Sequence, residues 1–92
     1  KFVLLRGAFV RKYNDKSNVI SNKLKKIRKE KSISQTQLCH KLELYGIVMQ
    51  EDLSKIEHGN KIVKDFELWG IARALSVSLD DLLTELNLEF KE

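Results

Sequence analysis

The 92-residue chain contains no proline, only four glycines and a single cysteine. Without proline, glycine and polar residues have to make every turn. Cys39 has no partner for an internal disulfide, so we expect a reducing, cytoplasmic location. No apolar run approaches the roughly 20 residues that span a bilayer, and no signal-peptide cleavage pattern follows KFVLLRGAFV. These absences predict one small domain with no membrane partner.

Acidic residues are scarce in the first third of the chain. Residues 1–31 hold 11 Lys and Arg against 2 Asp and Glu, a net charge of +9, whereas residues 32–92 hold 6 against 11, a net charge of −5. This segregation is typical of a face that meets a polyanion, most commonly nucleic acid. A solvated lysine-rich helix accounts for the same charges equally well.

Apolar residues recur at helical spacing from residue 18 onward. Ile20, Leu24 and Ile27 line one face of a first helix that ends near Lys31. Ser34 and Gln37 have the spacing of a capping box, which predicts the start of a second helix. Further apolar stripes predict helices over residues 50–58, over residues 64–75 and from residue 78 onward.

Two glycines have positions that carry specific predictions. Gly59 is placed to end the third helix in a left-handed conformation. Gly70 lies inside the fourth helix, where glycine costs about 1 kcal/mol relative to alanine. We therefore expect close helix packing at Gly70.

Three separated segments carry a resemblance to a known family. They are KLKKIRKEKSISQTQL, LSKIEHG and DFELWGIARALSVSLDDLL, in that order. Over about residues 18–84 they resemble the lambda-repressor-like domain of the phage Cro/repressor helix-turn-helix family. The resemblance implies a compact, all-α, five-helix domain over residues 18–86, with a tail at 87–92. Residues 1–17 are then an extension or arm, with a short strand and a dimer contact as options.

The resemblance also implies roles for individual residues. Arg28 and Glu57 match a structural ion pair beneath the surface. Residues 50–58 match the recognition helix that enters the major groove. The base-reading candidates are Gln50, Glu51, Asp52 and Lys55, and the phosphate-contact candidates are Gln35, His58, Asn60, Lys61 and Lys64.

Two features depart from the common pattern of this family. Glu51 and Asp52 place carboxylates where bases are read, which permits either an unusual reader of cytosine N4 or a domain whose DNA contact is weak or lost. Asp52 could instead serve the positive N-terminus of the third helix. The connection between helices two and three is also longer than usual and contains Gly46 and Ile47. The family pattern therefore does not define the orientation of the recognition helix in this chain.

The sequence gives little support for a catalytic site or a metal site. Cys39 and His40 are neighbours about 100° apart on a helix, so they cannot form a zinc site together with His58. Cys39 is predicted to be an inert core thiol. We predict that the protein is not an enzyme and has no cofactor, metal or small-molecule substrate.

The leading hypothesis is a bacterial or phage-type transcriptional repressor that binds a pseudo-palindromic operator in double-stranded DNA as a homodimer. Phe66, Trp69 and Phe90 are the candidates for a dimer surface, although Trp69 could equally cover the edge of the monomer core. The alternative is a protein-interaction module of the same fold, antitoxin-like or a regulatory subunit, with a regulatory protein partner and weak or lost DNA binding.

Overall fold

The computed structural model describes the backbone of residues 3–5 and 8–10 and all of residues 15–90. Within these ranges the chain forms a short hairpin and six helices. The helices are α1 (Ser21–Glu30), α2 (Gln35–Glu43), α3 (Leu53–Glu57), α4 (Asp65–Leu75), α5 (Leu79–Leu82) and α6 (Thr84–Glu89). The predicted all-α architecture is confirmed.

The first two helices follow from their apolar faces and caps. Ile20, Leu24 and Ile27 are buried, as the helical spacing predicts. At the start of α2, the Gln37 N–H donates to Ser34 Oγ over 3.0 Å and the Ser34 N–H donates to Gln37 Oε1 over 2.8 Å. These two bonds are the predicted capping box, and they satisfy two N–H groups that the helix itself leaves unpaired.

Helix α3 is shorter than the predicted span of residues 50–58. Ile47 and Met49 are both buried while Val48 between them is exposed, an alternation that needs extended backbone. Helical hydrogen bonding therefore begins only when the N–H groups of Asp52 and Leu53 reach the Met49 carbonyl. The helix ends as predicted, because Gly59 follows it with a φ of +79°.

Gly70 packs closely, but chiefly against the loop before α3. A Cβ at this position would collide with Cδ1 of Ile47 and would lie 3.5 Å from Cδ2 of Leu42 in α2. Because Gly70 has no side chain, Ile47 can pack directly against α4. This contact attaches the lengthened connection between α2 and α3 to α4.

The C-terminal helices differ most from the prediction. A fifth helix does start after Ser78, whose hydroxyl accepts from the Asp81 N–H. It stops at Leu82, and a sixth helix runs across the predicted domain end at residue 86. The break coincides with Thr84, whose hydroxyl donates to the carbonyls of Asp80 and Asp81 and so satisfies acceptors that end α5.

The hairpin lies in the predicted N-terminal extension. Its strands, β1 (Val3–Leu5) and β2 (Ala8–Val10), pair antiparallel with Val3 opposite Val10. The rest of the extension up to residue 14, and residues 91 and 92 of the tail, lie outside the described residues. The division at residues 17 and 86 stays a prediction.

One apolar core joins all the helices except α6. It is centred on Leu24, Leu38, Leu53, Ile71 and Leu82, each at most 1% exposed. In the part of the chain that the structure describes, we find no helix long and apolar enough to cross a membrane.

Replacing Gly70 by alanine tests the close contact between Gly70 and Ile47. Overpacking typically costs about 1–3 kcal/mol and alanine regains roughly 1 kcal/mol of helix propensity. We therefore expect a net loss of about 1 kcal/mol in the free energy of unfolding, measured by urea denaturation followed by circular dichroism.

The matched control is Ile47→Val, which removes Cδ1 and leaves Cγ1 3.7 Å from the added Cβ. This variant alone should cost about 1 kcal/mol. The double variant G70A/I47V should then be no less stable than I47V. Strictly additive losses would show that the collision with Ile47 is not what glycine avoids.

Candidate nucleic-acid interface

Helix α3 presents a narrow solvent-facing surface. Leu53, Ile56 and Glu57 are buried, and the helix packs on α1 and α2. Lys55 and His58 are exposed, as are Gln50 and Glu51 in the turn that leads into the helix. The exposed side of α3 and its leading turn therefore form one polar surface, which we call the α3 face.

The α3 face is held by a buried ion pair between the predicted partners Arg28 and Glu57. Arg28 Nε donates to Glu57 Oε2 over 2.6 Å, and Arg28 Nη2 donates to Glu57 Oε1 over 3.0 Å. The remaining Nη1 donates to the Ile33 carbonyl over 2.9 Å. A bidentate pair fixes orientation as well as distance, so α3 is held against α1 and the α1–α2 turn.

The electrostatics of the pair favour both charged forms. Burial works to raise the pKa of Glu57, but hydrogen bonds from Arg28 and Gln35 and the charges of Arg28 and Lys25 outweigh it, so this pKa lies below its ordinary value. The hydrogen bond to Glu57 raises the pKa of Arg28, against the opposing effect of burial. The pair is therefore ionised at neutral pH.

Gln35, a predicted phosphate contact, also hydrogen-bonds to this ion pair. Its Nε2 donates to Glu57 Oε1 over 3.1 Å. It also lines a pocket of about 240 Å³ between the start of α2 and the turn before α3, together with Thr36, Cys39, His40 and Gln50. The structure thus brings Gln35 and Gln50 to the same groove.

The four base-reading candidates have different surroundings. Lys55 and Glu51 are exposed, and Gln50 Nε2 lies 3.5 Å from Glu43 Oε1. Asp52 precedes α3, but its side chain makes no capping hydrogen bond to the helix. Its carboxylate lies 3.8 Å from Lys61 Nζ instead, a partly exposed pair of small energetic value.

The remaining phosphate-contact candidates follow α3. His58 Nδ1 lies 2.7 Å from the Ser54 carbonyl, which directs the ring back along the helix. Asn60 and Lys64 are exposed, and Lys61 is the partner of Asp52. These residues border the α3 face on the side where the chain leaves the helix.

Asn18 is a structural residue of the site that the sequence did not single out. It is buried, and its Nδ2 donates to the carbonyls of Ile56 and Lys61 over 3.1 and 2.9 Å. Its Oδ1 accepts from the Ile20 N–H. An asparagine just before an apolar helical run signals a helix start, but that local signal does not reveal bonds to residues about forty positions away.

Cys39 is buried, and its Sγ lies 3.6 Å from the Met49 carbonyl. Burial and the negative charge of Glu43 raise the pKa of this thiol, which makes it a poor nucleophile. Among the residues that the structure describes, no group of three or more His, Cys, Asp or Glu side chains is placed to hold a metal ion.

The predicted dimer residues lie on two elements. Phe66 and Trp69 on α4 and Phe90 after α6 are each about half exposed. The Trp69 ring meets Tyr45 edge-on at 5.3 Å between centroids, and the Arg73 guanidinium lies 5.7 Å from the same ring. Trp69 is therefore held by neighbours in its own chain while keeping part of its surface exposed.

A family model described as helix-turn-helix, of the Cro/C1 type, matches residues 24–82. The match covers more than half of the chain and runs from α1 into α5. No curated protein matches the chain.

Glu57→Gln tests the ion pair directly. The variant leaves the buried Arg28 charge without a counter-charge, so we expect a loss of about 3 kcal/mol in the free energy of unfolding in urea. Glu30→Gln, at the exposed end of α1, is the control and should change stability by less than about 0.5 kcal/mol. Similar losses in both variants would contradict the role of the pair.

The pair also predicts a pH dependence. Because the folded-state pKa of Glu57 is lowered, its contribution is complete above the unfolded value of about 4.3 and is lost as the pH falls through the folded value. Unfolding measured from pH 7 downward should show an acid loss in the wild type that is reduced in E57Q. Parallel pH curves would assign the acid loss to other carboxylates.

Proposed function

The chain belongs to the Cro/C1-type helix-turn-helix family of DNA-binding regulators, and from this premise we propose that it is a repressor that occupies an operator in double-stranded DNA as a homodimer. The observation that carries the proposal is the α3 face, an exposed polar surface on a short helix whose orientation is fixed by the buried Arg28–Glu57 pair. A helix used for recognition has to be held rigidly while its outer side stays free.

Base reading is assigned to the exposed part of the α3 face. Lys55 has the donors to meet O6 and N7 of guanine, and Gln50 can make a bidentate contact to adenine. Glu51 can accept from cytosine N4. Asp52 acts differently, because its carboxylate is close to Lys61 and so orients a phosphate-binding lysine.

Sequence-independent attraction comes from the borders of this face. Gln35 and His58 lie at the two ends of the helix pair, and Asn60, Lys61 and Lys64 follow it. The net charge of +9 in residues 1–31 adds a long-range pull toward phosphate. Lys25 on α1 lies close enough to Glu57 to lower its pKa, so part of this charge is beside α3.

A homodimer would place two α3 faces about 34 Å apart on one side of the duplex, reading a pseudo-palindrome. Phe66, Trp69 and Phe90 supply exposed aromatic surface for subunit contact. We further propose a bacterial or phage regulator that works in the cytoplasm without catalytic activity, cofactor or small-molecule substrate.

A second candidate function is a protein-interaction module of the same fold. It is favoured by Glu51, an exposed carboxylate within the α3 face, and by Leu44 and Val48, which are exposed in the preceding loop. A basic partner would suit this mixed surface. Glu51→Lys separates the two functions. In the interaction module it should abolish binding to a basic protein, whereas in the repressor it should remove the contact to cytosine N4 and relax the preference at that base pair.

Duplex binding at several salt concentrations is the direct test. Selection from random DNA supplies the preferred sequence, and fluorescence anisotropy then gives the affinity of the full chain. We expect log K to fall linearly with log salt by about 0.9 for each phosphate contact. An affinity that does not respond to salt would contradict DNA binding.

Lys55→Ala tests base reading by the α3 face. It should cost about 1–3 kcal/mol at the selected site and relax the preference at one base pair. Arg73→Ala removes the same charge from α4 and is the matched control, which should leave the base preference unchanged. Equal effects of the two variants would mean that only net charge is sensed.

A further inference from the structure

The surface of α5 and α6 is both apolar and acidic. Leu79, Leu88 and Phe90 are 42%, 68% and 58% exposed. Residues 79–90 also contain four acidic residues and no lysine or arginine, a net charge of −4. These side chains lie on or next to two helices that pack on each other, and exposed apolar surface rimmed by charge marks a site for another polypeptide. We call residues 79–90 the α5–α6 face.

The N-terminal segment has the complementary composition. Residues 1–14 contain Lys1, Arg6, Arg11 and Lys12 and no acidic residue, a net charge of +4. The six residues of β1 and β2 are all apolar, whereas a strand with one face in water needs polar residues at every second position. Within the described ranges the sheet has two strands, and an isolated two-stranded hairpin is marginally stable in water.

Leu79, Leu88 and Phe90 are exposed, so they are available for contact with another polypeptide. The proposed homodimer supplies a second copy of both surfaces. We propose that the hairpin segment of one copy, residues 1–14, docks on the α5–α6 face of a second copy, and reciprocally, so that two such contacts close a twofold dimer.

This arrangement deepens the proposed function, because it rests on the homodimer and names its contact. Each of the two contacts joins a segment of +4 to a face of −4, and the same surfaces are used on both subunits, as closed twofold symmetry requires. This dimer would leave the α3 face free, because α5 packs on α4 and α6 packs on α5, whereas α3 packs on α1 and α2.

A charge swap tests the contact in the full-length chain. One variant, R11E/K12E, reverses two charges of the hairpin segment. The other, D80K/E85K, reverses two charges of the α5–α6 face and spares Asp81, which caps α5. Molar mass by light scattering after size exclusion should show a dimer for the wild type and a monomer for each variant alone.

The decisive measurement is the mixture of the two variants. In a reciprocal dimer, each reversed segment meets a reversed face and each unchanged segment meets an unchanged face. The mixture should therefore form a 1:1 heterodimer. A docking site within the same chain would leave the mixture monomeric and would overturn the proposal, as would a monomeric wild type or variants that stay dimeric.

Two controls keep the outcome interpretable. E30K/E51K makes the same change in net charge away from the α5–α6 face and should remain dimeric; a monomer would show that total charge, not this face, governs assembly. If circular dichroism shows that D80K/E85K is unfolded, Leu88→Glu replaces it as the test of the face and should be monomeric when folded.

Duplex binding separates failure of this contact from failure of the proposed function. The two charge-swap variants leave the α3 face unaltered, so each should still bind a single half-site with a salt-dependent affinity. Persistent half-site binding with an unchanged dimer refutes the hairpin contact alone. Loss of duplex binding by the wild type refutes the proposed function instead.

Discussion

The ion pair between Arg28 and Glu57 is the constraint on which the α3 face depends. Helix α3 has only five residues, and such a helix is unstable by itself in water because the cost of its first turn is never recovered. Apolar contacts through Leu53 and Ile56 hold it in the core, but they are not directional. Bidentate bonds from Arg28 to Glu57 orient the C-terminal end of α3, and Asn18 secures the same end through the carbonyls of Ile56 and Lys61.

This arrangement also explains why two charges are retained beneath the surface. A buried ion pair gains little stability over apolar packing, because desolvation offsets the attraction. Here each nitrogen of the Arg28 guanidinium donates one hydrogen bond, and Gln35 donates a further one to Glu57. The same residues that stabilise the fold therefore couple the start of α2 to the end of α3.

Local patterns predicted much of the fold and less of the site. The face of α1, the capping box at Ser34 and the helix end at Gly59 follow from spacing and residue type within a few positions. The late start of α3 does not, because it results from the burial of Ile47 against Gly70, a contact between distant segments. The break at Leu83 and the role of Asn18 are missed for the same reason: their hydrogen bonds depend on tertiary packing. Among site residues, the sequence identified the exposed positions but not the pairing of Asp52 with Lys61.

The anchored connection between α2 and α3 has a consequence for how such a protein can vary. Leu42 near the end of α2 and Ile47 within the connection are buried, while Leu44 between them is 82% exposed. The Leu44 side chain can therefore be exchanged without moving either anchor, whereas the Ile47 N–H, which donates to the Leu42 carbonyl, fixes the length of the turn between them. Mutation can thus change the outer surface of this connection while the buried contacts that position α3 stay the same.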